Sequence, residues 1–210
     1  MTPAATLSQR RQTRAQAPGN KREAILRAAT KLFARRGFFS AQVADVAREA
    51  GIAAGTVYLY FRSKDDLLIA IFERTMQQAL ADARLALADV ADPIERLQVL
   101  ARQHLDRLGR DHDLAVVFQV ELRQSIKFME QLSSSLLRDH LHAIRDTIAD
   151  AQKAGHFRPE VSPTFAAKTL FGALDEMATN WILSRREYPL AEQADAVIDL
   201  FVHGMKPSPV

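Results

Sequence analysis

Between Val43 and Phe61 the chain is punctuated so tightly that little but a pair of short helices fits. Val43, Val46, Ala47 and Ala50 recur on one helical face, Gly51 interrupts them, and Ala53-Ala54-Gly55 leads into Thr56-Val57-Tyr58-Leu59-Tyr60-Phe61. Gly51 supplies a turn, because a left-handed backbone is cheap without a Cβ. Two short helices around a glycine turn make a helix-turn-helix unit. Such a unit needs an apolar underside, here Val43, Val46, Ala47, Ile52, Val57 and Phe61 resting on Ile25, Leu32 and Phe33. What remains outward is small or hydrogen-bonding: Ala54, Gly55, Thr56, Tyr58, Leu59 and Tyr60. Small residues let a backbone approach a groove, and a helix N-terminus directs N–H groups and partial positive charge at phosphates. Contacts to phosphate fix register and contacts to base edges give specificity. Tyr58 has two readings, a ring packed under the turn or a ring on the nucleic acid.

Helical spacing continues along the rest of the chain. Residues 1–20 are polar, with Pro3, Pro18, Gly19 and three unaccompanied arginines, Arg10, Arg11 and Arg14, and read as a disordered basic arm. That arm is either a solubilising tail or a segment tracking phosphates or a minor groove. A first helix is expected from an Asn20 N-cap to Gly37. Ser63 with Asp66 resembles a capping box opening a long helix from Lys64 to Val90. Asp92-Pro93 opens the next, whose stripe is Leu97, Leu100, Ala101, Leu105 and Leu108, closed by Gly109. Further helices are expected over 113–124, over 127–154 to Gly155, from Ser162-Pro163 to Arg186, and over 190–205. No segment alternates as a strand does, so the fold class is all-α: a three-helix head over 21–65 and a helical body over 66–210.

Charge divides the chain at the same place. Residues 1–65 carry 12 basic and 4 acidic side chains, a net of +8, and residues 66–210 a net of −5, within an overall +3. A basic third on an acidic remainder points to a polyanion at one end only. Lys and Arg on phosphates release counterions, giving affinity for nucleic acid before any base is read. The chain has no Cys, which excludes disulfides, Cys-ligated metals and thiol nucleophiles and fits a reducing compartment, the cytoplasm. Its longest apolar run, Leu67 to Phe72, is far short of the ~18 residues of a membrane span. The N-terminus lacks the apolar segment of a secretory signal.

The stretch Val43 to Leu68, with Gly37-Phe38 and the helix ending in Leu32-Phe33, resembles the signature of the bacterial TetR family of transcriptional regulators. The resemblance implies a homodimeric repressor with DNA-binding heads on a ligand-binding body. It implies that Ala54, Gly55, Thr56, Tyr58, Leu59 and Tyr60 present the recognition surface. Gln42 falls at a phosphate-contacting position opening the second helix, and Lys64 on the family's phosphate-contacting lysine. The chain departs from the family's pattern in three places. Ala41 stands where Thr commonly caps the second helix, Ala54 where Lys is frequent, and Leu59 where His or Trp is frequent. Leu59 can instead meet a thymine methyl. One short recognition helix reads few base pairs, so two copies ~34–36 Å apart are needed. Ala166, Ala167, Gly172, Ala173 and Ala178, with Ala194, Val197, Ile198, Leu200 and Phe201, are the interface expected for a four-helix dimer contact.

For the body, a sensor of an apolar molecule needs a cavity with a few convergent polar groups. The candidates are Phe118, Leu122, Arg123, Phe128, Met129, Leu132, Phe171, Leu174, Asp175, Ala178, Trp181 and Ile182. The blocks 118–125 and 170–181, with Tyr58-Leu59-Tyr60-Phe61, resemble the fatty-acid-degradation (FadR-type) branch of the family. That branch implies a long-chain acyl-CoA effector and control of fatty-acid metabolism genes. An acyl chain needs an apolar tunnel and CoA phosphates need cations, for which Arg102, Arg107, Arg123, Lys127 and Lys168 are candidates. The rival within the family is a xenobiotic sensor controlling an efflux pump. A second rival is an architectural DNA binder with a filled body. No cofactor or metal is expected. An enzyme is not expected either: His140 and His142 fall on different helical faces, Asp111-His112-Asp113 lacks a metal-ligand spacing, and no phosphate loop or nucleophile elbow is present.

Overall fold

A computed structural model describes residues 18–124, 130, 135–186 and 188–207, and among them every regular element is helical. The elements are α1 (Pro18–Arg36), α2 (Val43–Glu49), α3 (Ala54–Tyr58), α4 (Lys64–Ala86), α5 (Pro93–Gly109), α6 (His112–Gln119), a 3-10 turn Glu121–Gln124, α7 (Ser135–Lys153), α8 (Pro163–Leu183), a 3-10 turn Leu190–Glu192 and α9 (Gln193–Met205).

Helix α1 starts at Pro18 rather than at Asn20, since a proline's fixed φ and missing N–H suit a first turn. It ends at Gly37, whose φ of +77° lets the Gly37 N–H reach the Phe33 carbonyl at 2.9 Å. At the turn after α2, Gly51 has φ +68°. The Ile52 N–H donates to the Ala47 carbonyl at 3.0 Å and the Gly51 N–H to that of Arg48 at 3.2 Å, the paired bonds of a Schellman end. Ser63 opens α4 by accepting the Asp66 N–H at 3.0 Å, while the Asp66 carboxylate accepts the Arg62 N–H at 3.0 Å.

Helix α4 stops at Ala86, short of Val90, because past Ala83 it buries nothing and Leu85 stands exposed. Asp92 caps α5 through the Ile94 N–H at 2.9 Å, as its Asp-Pro pair implies. The helix expected over 113–124 breaks at Val120 (φ −116°, ψ −63°), and the 3-10 turn after it drives Glu121 and Leu122 inward. Helix α8 ends at Leu183 rather than Arg186; the Trp181 Nε1–H donates to the Tyr188 carbonyl at 3.0 Å and draws the chain back. Phe128, Met129, Leu132, Lys127 and the arginines of the N-terminal arm lie outside the described residues.

Two apolar cores result. One joins α1–α3 to the first half of α4: Ile25, Leu26, Phe33, Val46, Val57, Leu67, Leu68 and Ile71 are fully or almost fully buried in it, and Val117 and Leu122 enter it from the body. The other fills the body between α5, α7, α8 and α9, around Leu97, Leu105, Ile144, Ile148, Phe157 and Leu170. Phe118 packs against both.

Candidate nucleic-acid interface and effector cavity

The head is a scaffold for a small exposed face. Val57 is fully buried beneath α3, so its helical neighbours point outward: Ala54 and Gly55 are open, Tyr58 is 55% exposed and Leu59 82%. Tyr58 is therefore not a core ring. Helix α3 closes at Tyr58, so Leu59 caps it and Tyr60 lies beyond it, half-buried against the head core. Gln42 is the exposed N-cap of α2 and its side chain bonds no helix N–H, so that end has no side-chain cap. Phe39, 65% exposed, stands at the same end of the loop. Pairs between helices hold the scaffold: Lys31 on α1 with Glu49 on α2, and Arg36 with Asp45 at 3.4 Å. The Lys31 ammonium keeps the Glu49 carboxyl below its ordinary range.

Lys64 has its partners within the head. Its Nζ donates to the carbonyls of Phe38 (2.6 Å), Phe39 (3.0 Å) and Ala41 (3.0 Å) and sits 4.5 Å from the Phe38 ring centroid. An ammonium has three protons, and three carbonyls take them. Lys64 thus clamps the α1–α2 loop to the start of α4. The same loop is held from the body, where the buried Glu121 carboxylate accepts the Phe38 N–H at 2.6 Å.

In the body, α4, α5, α6, α7 and α8 line a cavity of about 70 Å³. Phe72, Met76, Ala79, Ala83, Leu100, Leu108, Phe118, Leu137 and Phe171 form its apolar wall, with Thr75, Gln103, His104, Arg107 and His140 the polar positions. The imidazoles of His104 and His140 lie 6.0 Å apart between centroids, and each meets the Phe171 ring edge-on, at 5.4 and 5.8 Å. Burial pushes both imidazoles toward the neutral form. For His140, with His104 and Arg107 adding to the effect, the pKa falls to about 4. For His104 the fall from burial and Arg107 is opposed by Asp175. Leu137 also lines a second hollow, a groove of about 340 Å³ between α7 and α8. Arg138, His142, Arg145 and Lys168 stand along that groove, with Arg145 paired to Asp146 at 2.7 Å beside it, and no Asp or Glu is among the described residues lining it.

Residues 25–71 match the family described as bacterial regulatory proteins, tetR family, and residues 72–204 match the C-terminal region of YsiA-like proteins. The chain belongs to the TetR family. A fatty acid metabolism regulator protein of Bacillus subtilis is 32% identical over 181 residues, covering 86% of this chain and 93% of the relative. Among solved structures, the fatty acid degradation regulator FadR of Bacillus halodurans superposes with a TM-score of 0.82 at 32% identity, covering 88% of this chain and 99% of that one. FadR of B. subtilis in complex with stearoyl-CoA gives 0.82 at 30% identity, covering 87% and 98%. These TetR relatives are regulators, not enzymes.

Of the body residues that the sequence suggests for the effector site, only some meet at the cavity. Phe118 and Phe171 line the cavity. Leu174 and Ala178 are buried in the body core, and Leu122 belongs to the head core. Arg123 pairs with Asp175, whose carboxylate also accepts the Gln119 side-chain N–H at 2.7 Å, so Asp175 ties α8 internally to the end of α6 and to the 3-10 turn after it. Trp181 is drawn to a surface hollow beside His112, with ring centroids 5.3 Å apart, and Ile182 packs on the body core. Of the cations, Arg102 pairs with Asp195 and Arg107 with Asp82, leaving Lys168 in the groove. Sequence reasoning passed over His104, His140, Phe72, Met76 and Leu137. For His104 the available signal was a polar residue interrupting an apolar helical stripe, between Leu100, Ala101 and Leu105; the apolar Phe72, Met76 and Leu137 carry no such mark. The expected dimer face divides as well. Ala166, Ala167, Ala178, Ala194 and Ile198 are buried within their own chain, Val197 and Phe201 are half-buried, and Gly172, Ala173 and Leu200 are exposed, as is the neighbouring Phe165 that the sequence did not single out.

Among the described residues no helix is long and apolar enough to cross a membrane, and no group of His, Asp and Glu is arranged to hold a metal ion.

Proposed function

We propose that this TetR-family regulator controls fatty-acid metabolism genes in the cytoplasm, binding a palindromic operator as a homodimer and releasing it when a long-chain acyl-CoA enters the body. Ala54, Gly55, Thr56, Tyr58 and Leu59 approach the major groove, and Gln42 and Tyr60 flank them on the phosphates. The exposed Phe165, Gly172, Ala173 and Leu200 give two copies an apolar contact. The supporting observation is the order of surfaces at Leu137: an apolar cavity on one side and a cationic groove free of lining carboxylates on the other. That order matches a molecule with an acyl chain at one end and phosphates at the other. The similarity to a regulator crystallised with stearoyl-CoA supports the same reading.

The mechanism follows from volume. A cavity of about 70 Å³ is well below the ~300–1,000 Å³ of a pocket that holds a drug-sized ligand, so a long acyl chain requires the helices around it to separate. Helix α4 begins in the head, so its displacement moves Lys64 and the loop it clamps. Effector binding then favours a head separation that does not fit successive major grooves, and it does so only through tighter binding to that state.

A mobility-shift titration tests the reading. Micromolar stearoyl-CoA is expected to abolish a complex with a palindromic fragment, and free CoA is not. Equal release by free CoA and by unrelated lipophilic drugs would favour a xenobiotic sensor and overturn the acyl-CoA assignment.

A further inference from the structure

The cavity carries more polarity than an alkyl chain needs. Thr75 Oγ1 donates to the Ile71 carbonyl at 2.8 Å, the Gln103 amide to that of Asp82 at 3.4 Å, and Arg107 to the Asp82 carboxylate at 2.6 Å, so those groups already have partners. His104 does not: its Nε2 is removed from solvent and has no hydrogen-bond partner. His140, 7% exposed, comes from the opposite helix to face the same ring of Phe171. A buried polar atom without a partner is costly, and its persistence in an apolar wall calls for a ligand group to satisfy it.

Position says which group. His140 follows Leu137 by one helical turn on the same face of α7, and Leu137 is the wall shared with the cationic groove. A molecule entering from the groove meets Leu137 at the shared wall, with His140 one turn further along α7 and His104 facing the same Phe171 ring, while Met76, Ala79, Ala83 and Leu100 line the rest of the wall beside polar groups that already have partners. In an acyl-CoA the first polar atom ahead of the hydrocarbon is the thioester carbonyl oxygen, an uncharged acceptor. A neutral imidazole offers one N–H donor, which suits a carbonyl and gives no ion pair to a carboxylate.

We infer that His104 and His140 are the specificity-determining residues of the effector site, donating a hydrogen bond to the acyl carbonyl and so selecting acyl over alkyl ligands. The inference rests on the acyl-CoA reading above and adds the atom that is recognised. Without the two imidazoles the cavity would still take up hydrocarbon and would lose only the ability to tell a thioester from a thioether.

Isothermal titration of the full-length protein with stearoyl-CoA and with S-octadecyl-CoA, the thioether lacking the carbonyl oxygen, separates the possibilities. The native protein is expected to bind the thioester about tenfold more tightly, the scale of one hydrogen bond in a buried site. In the double variant His104→Leu, His140→Leu the two ligands are expected to bind equally, with the thioether within about threefold of its native affinity. His104→Gln, which keeps an N–H donor, retains part of the preference and serves if the double variant does not fold. Equal affinities in the native protein overturn the inference while leaving the acyl-CoA reading intact, as does a preference that survives the double variant. Failure of both ligands to bind overturns the reading and the inference together.

Discussion

Head and body manage their polar groups in opposite ways. In the head, Lys64 gives three protons to three carbonyls, Ser63 and Asp66 cap α4 between them, and Glu121 covers the Phe38 N–H. In the body, two imidazoles face a cavity and the Nε2 of His104 has no partner there. A unit whose internal donors are matched holds one geometry, which reading a groove requires. A unit with a cavity and an orphaned donor can adopt a second geometry when a ligand supplies the missing contacts, which sensing requires.

The largest effect expected from this contrast is on packing. Phe33→Ala, in the filled head core, should destabilise by about 3–5 kcal/mol, whereas Phe118→Ala, at the cavity wall, should cost clearly less because the void it enlarges already exists. Urea unfolding of both variants checks this, and equal losses would erase the distinction between the two regions.

Next comes pH. The His140 pKa in the fold is about 4, against about 6.5 for an ordinary imidazole, so between those values the unfolded chain binds the additional proton. Stability is fully present above pH ~7 and falls as the pH is lowered through that window, by roughly 3 kcal/mol from this group at pH 4. His104 pulls in the same direction. Denaturation midpoints at pH 7 and pH 5 should differ less in His140→Phe than in the native protein; an unchanged difference would mean that His140 is not held neutral.

A smaller effect tests the clamp. Lys64→Met removes three hydrogen bonds and should destabilise the head by roughly 2 kcal/mol while leaving the salt dependence of DNA binding nearly unchanged. A slope of log affinity on log salt that falls by about one unit would instead make Lys64 a phosphate ligand. The smallest effect concerns the recognition face: Leu59→Ala should leave stability within about 0.5 kcal/mol and lower specificity at one base pair, read by competition between operator variants.

How legible each region was follows from the same contrast. The head is written in local signals. Gly37 and Gly51 end their helices with positive φ, Ser63 and Asp66 cap where their spacing implies, and Val57 and Phe61 are buried as their period requires. The clamp that Lys64 makes was not legible, because the carbonyls it meets lie 23 to 26 residues away. The body is written in contacts between distant helices. Helical periodicity marks Leu174, Ala178, Phe118 and Phe171 alike as inward, and only the packing of α4, α5, α6, α7 and α8 decides which face a void. The Arg123–Asp175 tie likewise depends on two helices meeting across 52 residues, which spacing within either helix cannot indicate.

The central claim is that filling the body cavity changes how far apart the two heads stand. With no native Cys, a single label at Ser40→Cys on the exposed α1–α2 loop allows interhead distances to be measured by pulsed electron resonance. On a palindromic fragment the distribution should be narrow and consistent with half-sites ~34–36 Å apart. Saturating stearoyl-CoA should move it to a different mean distance as DNA is released. Release of DNA with the distribution unchanged would contradict the account.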